Sequence, residues 1–178
     1  MANVTAGAGD ERVEVVDEDG TVLAVVTRAE MRSDNLRHRS VGIVVRRPGD
    51  GAVLAHRRAG WKDVWPGRWD LAYGGVCDVG EPEAAAAVRE LAEEAGIEVA
   101  GTAMHRLGTA SYTDDDVTAV GTLFELDHPG PFRFADGEVE ATEWVPWDRL
   151  GGWLAAHPHC PDTVHLLRTI GWRWPDEP

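Results

Sequence analysis

Cysteine, lysine and positive charge are what this 178-residue chain has least of. Cys77 and Cys160 are its two cysteines, too few in a chain of this length for a disulfide framework. Lys62 is its single lysine, and 17 basic side chains face 31 acidic ones, a net charge of −14. So acidic a surface repels phosphodiester backbones, which argues against nucleic acid as a partner and leaves any phosphate ligand to be met by local cations. Long apolar runs are missing as well: Val22 to Val26 and Val41 to Val45 are far shorter than a bilayer span, so no membrane association is expected. Met1 to Asp10 has neither the cationic start nor the apolar stretch of a secretory leader. The expectation is a cytoplasmic protein.

What the chain does have is 43% hydrophobic residues, eight of them tryptophan. That is enough apolar surface to offset the entropy of ordering a compact core. One domain is expected over residues 11–178, after a flexible N-terminus over residues 1–10. Arg12 to Val16 and Thr21 to Thr27 are β-branched runs around Asp17-Glu18-Asp19-Gly20 and predict an N-terminal hairpin. A polar link from Met31 to His38 leads to a second hairpin, Ser40 to Arg46 and Ala52 to His56, joined by Pro48-Gly49-Asp50-Gly51. The stretch Ala59 to Tyr73 reads as a loop ending in a short strand at Trp69 to Tyr73.

The hydrophobic period then changes. Ala84, Ala87, Val88, Leu91 and Ala95 form one stripe of a helix over Pro82 to Ala95, with Gly96 as the residue that ends it. Further strands are expected at Thr102 to Ser111, Val117 to Leu126 and Thr142 to Val145. Helical segments are expected at Trp147 to Ala156 and Asp162 to Ile170, broken at Pro158 and Pro161. Strands around one central helix, with helices at the end, predict an α+β fold in which a mixed sheet lies between helices.

Glu90, Glu93 and Glu94 stand at i, i+3 and i+4 on the central helix, on a face read as lying away from the apolar stripe. Like charges so spaced repel, and a hard divalent cation with oxygen ligands is the natural compensation. These glutamates belong to a longer pattern. Gly75, five residues, Glu81, seven residues, Arg89-Glu90-Leu91, one residue, Glu93-Glu94, one residue, Gly96-Ile97 fills every fixed position of the Nudix box. The chain thus resembles the Nudix hydrolase superfamily.

That resemblance implies an α/β/α sandwich, here with an N-terminal β-hairpin extension. It also implies a Mg²⁺- or Mn²⁺-dependent hydrolase cleaving the diphosphate linkage of a nucleoside diphosphate derivative or related organic diphosphate. Carried over, Glu90, Glu93 and Glu94 are metal ligands with the Gly74 carbonyl, Glu81 lies close to the metal, and Arg89 positions the carboxylates. The general base stays open between a box glutamate and a distal carboxylate: Asp114, Asp116, Glu138, Glu140 or Glu143, with Asp116, Glu138 and Glu140 foremost.

Outside the box, Leu36-Arg37-His38-Arg39, Arg57-Arg58 with Lys62, and Trp65-Pro66-Gly67 with Trp69 resemble the isopentenyl-diphosphate isomerase-like branch. In that branch residues at the positions of Arg58 and Lys62 hold the diphosphate, and Arg57 adds charge beside them. The isomerase chemistry itself does not carry over, because Gly74, Val76 and Met31 stand where its catalytic cysteine and two metal-binding histidines belong, and Cys77 is off that position. Isomerase and non-catalytic nucleotide sensor are the alternatives. Three further features have structural readings first: Trp61, Trp65 and Trp69 as loop packing, His157, His159, Cys160 and His165 as a spacing that fits no zinc pattern, and Asp114 to Asp116 as a polar turn. A homodimer is compatible with the N-terminal hairpin and exposed tryptophans.

Overall fold

A computed structural model describes residues 8–176 of the chain. The expected flexible terminus falls mainly on residues 1–7, outside the described residues, while Ala8–Asp10 form a 3₁₀ turn. Eight strands make one sheet: β1 (Arg12–Val16), β2 (Val22–Thr27), β3 (His38–Arg46), β4 (Val53–Arg58), β5 (Trp69–Asp70), β6 (His105–Thr113), β7 (Thr118–Asp127) and β8 (Val139–Val145). The helices are α1 (Arg28–Ser33), α2 (Glu83–Ala95), α3 (Leu150–Ala156) and α4 (Pro161–Thr169).

β3 is the spine. It runs parallel to β7 from His38↔Ala119 to Arg46↔Asp127, while its other edge meets the N-terminal hairpin at Val15↔His38 and β4 at Arg46↔Val53. The remaining strand pairs are antiparallel, so the sheet is mixed. Alternation along β3 sends Val41, Ile43 and Val45 into the core under α2, and Val44 to the opposite core under α3 and α4. The result is the expected α/β/α sandwich with a hairpin extension. Among the described residues no helix is long and apolar enough to cross a membrane.

α2 begins at Glu83 and ends at Gly96, whose φ of 64° lets Ile97 N–H reach back to the Leu91 carbonyl and buries Ile97. Its contact with the sheet is made by small residues, Ala86, Ala87 and Ala95, around a fully buried Leu91. Burying that leucine alone stabilises by roughly 2 kcal/mol. The alanines let the helix backbone approach β3 closely, which is what brings α2's polar side chains within reach of the loop after β5.

The polar link from Met31 to His38 opens inside a helix that the sequence does not announce. α1 is one short helix whose Thr27 and Glu30 form a reciprocal capping box. Its one buried side chain, Met31, packs with Val13 and Val76. Six residues with one apolar contact leave no period to detect. β4 and β8 also extend past their expected ends, so Arg57 and Arg58 lie in a strand and Glu138 and Glu140 flank the start of another.

Candidate functional site

The buried face of α2 carries two adjacent rows, Ala86-Glu90-Glu94 and Ala87-Leu91-Ala95. The sequence reading had set the glutamates apart from the apolar stripe. Instead Glu90 and Glu94 are 8% and 7% exposed, while Ala84 is exposed and Val88 half-buried. The stripe drawn through Ala84 and Val88 was centred too far round the helix.

The loop after β5 explains how two carboxylates are accommodated. Tyr73 exchanges both backbone hydrogen bonds with Ile43, and the Gly75 carbonyl accepts from Val41 N at 2.9 Å. The N–H and C=O of an extended residue point the same way, so Gly74, between these two, turns both of its groups away from β3. Its N–H donates to Glu94 Oε2 at 3.0 Å. A Cβ on Gly74 would fall on the Val41 carbonyl, and one on Gly75 would meet Glu90 Oε1 at 2.5 Å. Both positions need glycine because backbone or carboxylate already fills the space.

Arg89 is the hub of the remaining box residues. It donates to Glu81 at 3.1 and 2.9 Å, to Glu90 at 2.7 Å, to Glu93 at 3.3 Å and to the Val76 carbonyl at 3.2 Å. Arg89 in turn holds the Glu81 carboxyl below its ordinary range, so Glu81 acts here as the anchor of the arginine. Burial raises the proton affinity of Glu90 despite Arg89 beside it. Burial, and then the charge of Glu90, raise Glu94 further, against the Gly74 N–H. Two carboxylates are thus held side by side in a place that disfavours their charge. Among the described residues no three His, Cys, Asp or Glu side chains converge as a finished metal cage; Glu93 is drawn aside to Arg89.

Near Glu94, just ahead of β8, is Glu138. Burial would raise it, but its ion pair with Lys62 and a hydrogen bond from Glu94 outweigh that and hold it below the ordinary carboxylate range. Of this pair Glu94 holds its proton the more tightly. Arg58 donates twice to the Val64 carbonyl, at 3.2 and 3.1 Å, pinning the loop that carries Lys62. Both cations line a cleft of about 120 Å³ that opens beside Gly74 and Gly75.

Other expected site residues are not brought there. Arg57 pairs with Glu140 at 3.2 Å, and neither lines the cleft. Asp114, Asp115 and Asp116 make the β6–β7 turn: Asp114 accepts from the N–H groups of Asp116 and Val117, and Asp116 is exposed. Glu143 is exposed on β8. Cys77 lies in the core under α2, where burial pushes its thiol up to about 12. Of the tryptophans, Trp65 is core, Trp69 packs edge-on against Trp153, and Trp61 is exposed. Among the described residues His157, His159, Cys160 and His165 form no metal site: Cys160 is buried, and His157 stacks on Trp153.

Sequence reasoning missed Glu14 and the contact it makes with Arg39. Arg39 on β3 donates to Glu14 on β1 at 3.0 and 2.7 Å and to the Glu81 carbonyl at 3.0 Å, and Glu14 accepts from Gly80 N. This pair fixes the loop leading into α2, and only a cross-strand contact reveals it. Arg28 and Arg32 on α1 were also missed, and both line the cleft. So does His38, whose burial lowers its pKa to about 4 and keeps it neutral.

The family model described as "NUDIX domain" matches residues 36–169. An uncharacterized Nudix hydrolase, YfcD of Salmonella typhi, is 38% identical over 138 residues, 78% of this chain and 73% of the relative. Another from Pseudomonas aeruginosa is 31% identical over 163 residues, 92% of this chain and 95% of its own length. Among solved structures, DR0079 from Deinococcus radiodurans has a TM-score of 0.74 at 23% identity, covering 90% of this chain and 99% of that one.

Proposed function

The chain belongs to the Nudix hydrolase family, and from that premise we propose that it cleaves the diphosphate linkage of a nucleoside diphosphate derivative or related organic diphosphate with Mg²⁺ or Mn²⁺. One observation carries this: Glu90 and Glu94, two buried carboxylates one helical turn apart under Gly74, both with raised proton affinity. A donor set of carboxylate oxygens and a backbone carbonyl suits a hard dication, which would relieve the repulsion between the two carboxylates. Glu90, Glu94 and the Gly74 carbonyl are the inner ligands in this reading, with Glu93, exposed and held to Arg89 by one 3.3 Å contact, completing the set. Bound there, the ion supplies charge neutralisation at phosphate oxygens and acidifies a water.

The chain's own residues do the rest. Arg89, fixed by Glu81, keeps the Glu90 carboxylate in place. Glu138, held ionised by Lys62, accepts the proton of the attacking water on its carboxylate. Lys62 then offers its ammonium to the diphosphate, and Arg58 keeps the Lys62 loop in place. The role of Lys62 agrees with the isopentenyl-diphosphate isomerase-like resemblance, while Arg58, expected beside it on the diphosphate, supports the loop instead; a thiol as deeply buried as that of Cys77 cannot serve isomerase chemistry.

Incubating the protein with a panel of organic diphosphates in Mg²⁺, and assaying monophosphate or phosphate release, tests the proposal. Turnover that Glu94→Gln removes while the fold is retained is the expected result. Full activity in Glu94→Gln would refute it.

A further inference from the structure

Tyr73 stands one residue before Gly74 and carries a polar group that the centre described above does not use. It is completely buried, and its hydroxyl has no hydrogen-bond partner. Such a group loses its water on folding and regains nothing, so a hydroxyl kept in that state calls for a physical reason. The ring cannot turn to find an acceptor. Its backbone exchanges hydrogen bonds of 2.7 and 3.0 Å with Ile43, its face lies flat on His56 from β4, with centroids 4.3 Å apart at 18°, and Phe134 runs nearly parallel to it at 6.3 Å. His56 Nδ1 is unpartnered as well. Stacking puts each polar group off the plane of the other ring, so the two cannot pair with each other.

Any acceptor must therefore come to Tyr73. Burial, then the charges of Glu94 and Asp70, work against the ionised phenol, which leaves the hydroxyl as a donor with two carboxylates in range. Asp70 is already engaged, accepting from Ala72 N at 3.2 Å and from the Cys160 thiol. Glu94 is less committed. It accepts from Gly74 N on one oxygen, and its other hydrogen bond is with Glu138, the group that the hydrolytic reading requires to be free for the attacking water. Glu94 and Glu138 must then part. A buried carboxylate released on one side needs a replacement donor, and the Glu94 side chain has the torsional freedom to reach one, which the clamped ring of Tyr73 lacks.

We infer that Tyr73 is a positioning residue of the metal centre, whose hydroxyl donates to Glu94 once that carboxylate has left Glu138 and so holds Glu94 in its ligating position. This rests on the hydrolase reading above for the roles of Glu94 and Glu138. Glu94 has two arrangements, on Glu138 or on Tyr73, and the unspent hydroxyl is what the first leaves over. Tyr73 acts through Glu94 and touches neither substrate nor ion.

The test is Tyr73→Phe in the full chain, which deletes the hydroxyl and keeps the ring and its stacking. In EDTA the variant should unfold at a urea concentration no lower than the wild type, because the deleted group had no partner. Its affinity for Mn²⁺, followed by electron paramagnetic resonance of the free ion, should fall about 10-fold, the size of one hydrogen bond to a charged group. In turnover, the Mg²⁺ concentration giving half the maximal rate should rise by a similar factor, with KM for the diphosphate at saturating Mg²⁺ unchanged. A residue that merely packs the core would lower stability in EDTA and leave ion affinity alone. A variant less stable than the wild type in EDTA therefore overturns the inference, since the hydroxyl must already be bonded, and so does an unchanged Mn²⁺ affinity. A wild type that neither binds Mn²⁺ nor hydrolyses any diphosphate refutes the hydrolase reading itself, and the role of Tyr73 falls with it.

Discussion

Replacing Glu94 by glutamine separates what the carboxylate does for function from what it costs the fold. Glu94 is buried, faces Glu90 one turn away, and accepts from Gly74 N. Glutamine keeps the shape and the acceptor oxygen and deletes the charge. Two unit charges about 6 Å apart at an effective dielectric of about 20 repel by about 3 kcal/mol. Arg89 beside Glu90 and Lys62 near Glu94 offset part of this, leaving a gain of about 1–2 kcal/mol, or about 2–8 °C in Tm for a chain of this size.

The sign depends on pH. Glu94 has a raised folded-state pKa, so its favourable contribution is present at low pH, where it is protonated, and is lost as pH rises through that value. Glu94→Gln should therefore melt near the wild type at about pH 4 in EDTA and increasingly above it towards pH 8. Excess Mg²⁺ should invert the order, since ion binding adds about 2.7 kcal/mol to the wild type at 100-fold over Kd and little to the variant. Differential scanning calorimetry across pH, with EDTA or Mg²⁺, reads both effects. A variant that melts below the wild type in EDTA at pH 8 would show that Glu94 is a stabilising core contact, and the argument from crowded carboxylates would fail.

Three more outcomes follow from the same geometry. Gly74→Ala, whose methyl falls on the Val41 carbonyl, should cost about 3–5 kcal/mol in urea unfolding; Gly75→Ala, which displaces only the Glu90 carboxylate, should lose activity with a much smaller change, and equal losses in both would contradict this. Glu138→Gln should lower kcat by about 10²–10⁴-fold while preserving the Mg²⁺-induced rise in Tm, and an unchanged kcat assigns the base elsewhere. His38 has a folded-state pKa of about 4 against 6.5. Its contribution to stability is therefore full above about pH 6.5 and is lost as pH falls towards 4, amounting to about 3 kcal/mol; His38→Gln should flatten urea stability over that window, and a parallel pH profile in the two proteins would refute it.

What was legible in the sequence was local. The box spacing, the α2 boundaries and the Gly96 stop are set by residues within a few turns of one another, and the structure keeps all three. The direction of Glu90 and Glu94 was misread because alanine is too small to mark a face: Ala84 and Ala86 look alike in a sequence, and only the second is buried. α1 was invisible because its evidence is one cap and one buried methionine. The support network of Glu14 and Arg39, and the Lys62–Glu138 pair, join residues distant along the chain, and no periodicity records such contacts. Asp116 and Glu140 were candidates by sequence and chemistry, and turn geometry and the ion pair with Arg57 placed them elsewhere.

The ladder between β3 and β7 has a kinetic consequence. Its nine paired positions join segments some eighty residues apart in the chain, and everything that bears the box, from β4 through α2, lies inside the loop that this parallel pairing closes. Such a closure must lose chain entropy before its contacts are gained, which slows folding in proportion to how non-local the pairing is. α2 can form early, as a local structure, but Glu138 reaches Glu94 only once β8 has paired with β4, another non-local closure. The proposed centre should therefore be among the last parts of the molecule to assemble, and recovery of activity during refolding should lag behind the recovery of helical signal.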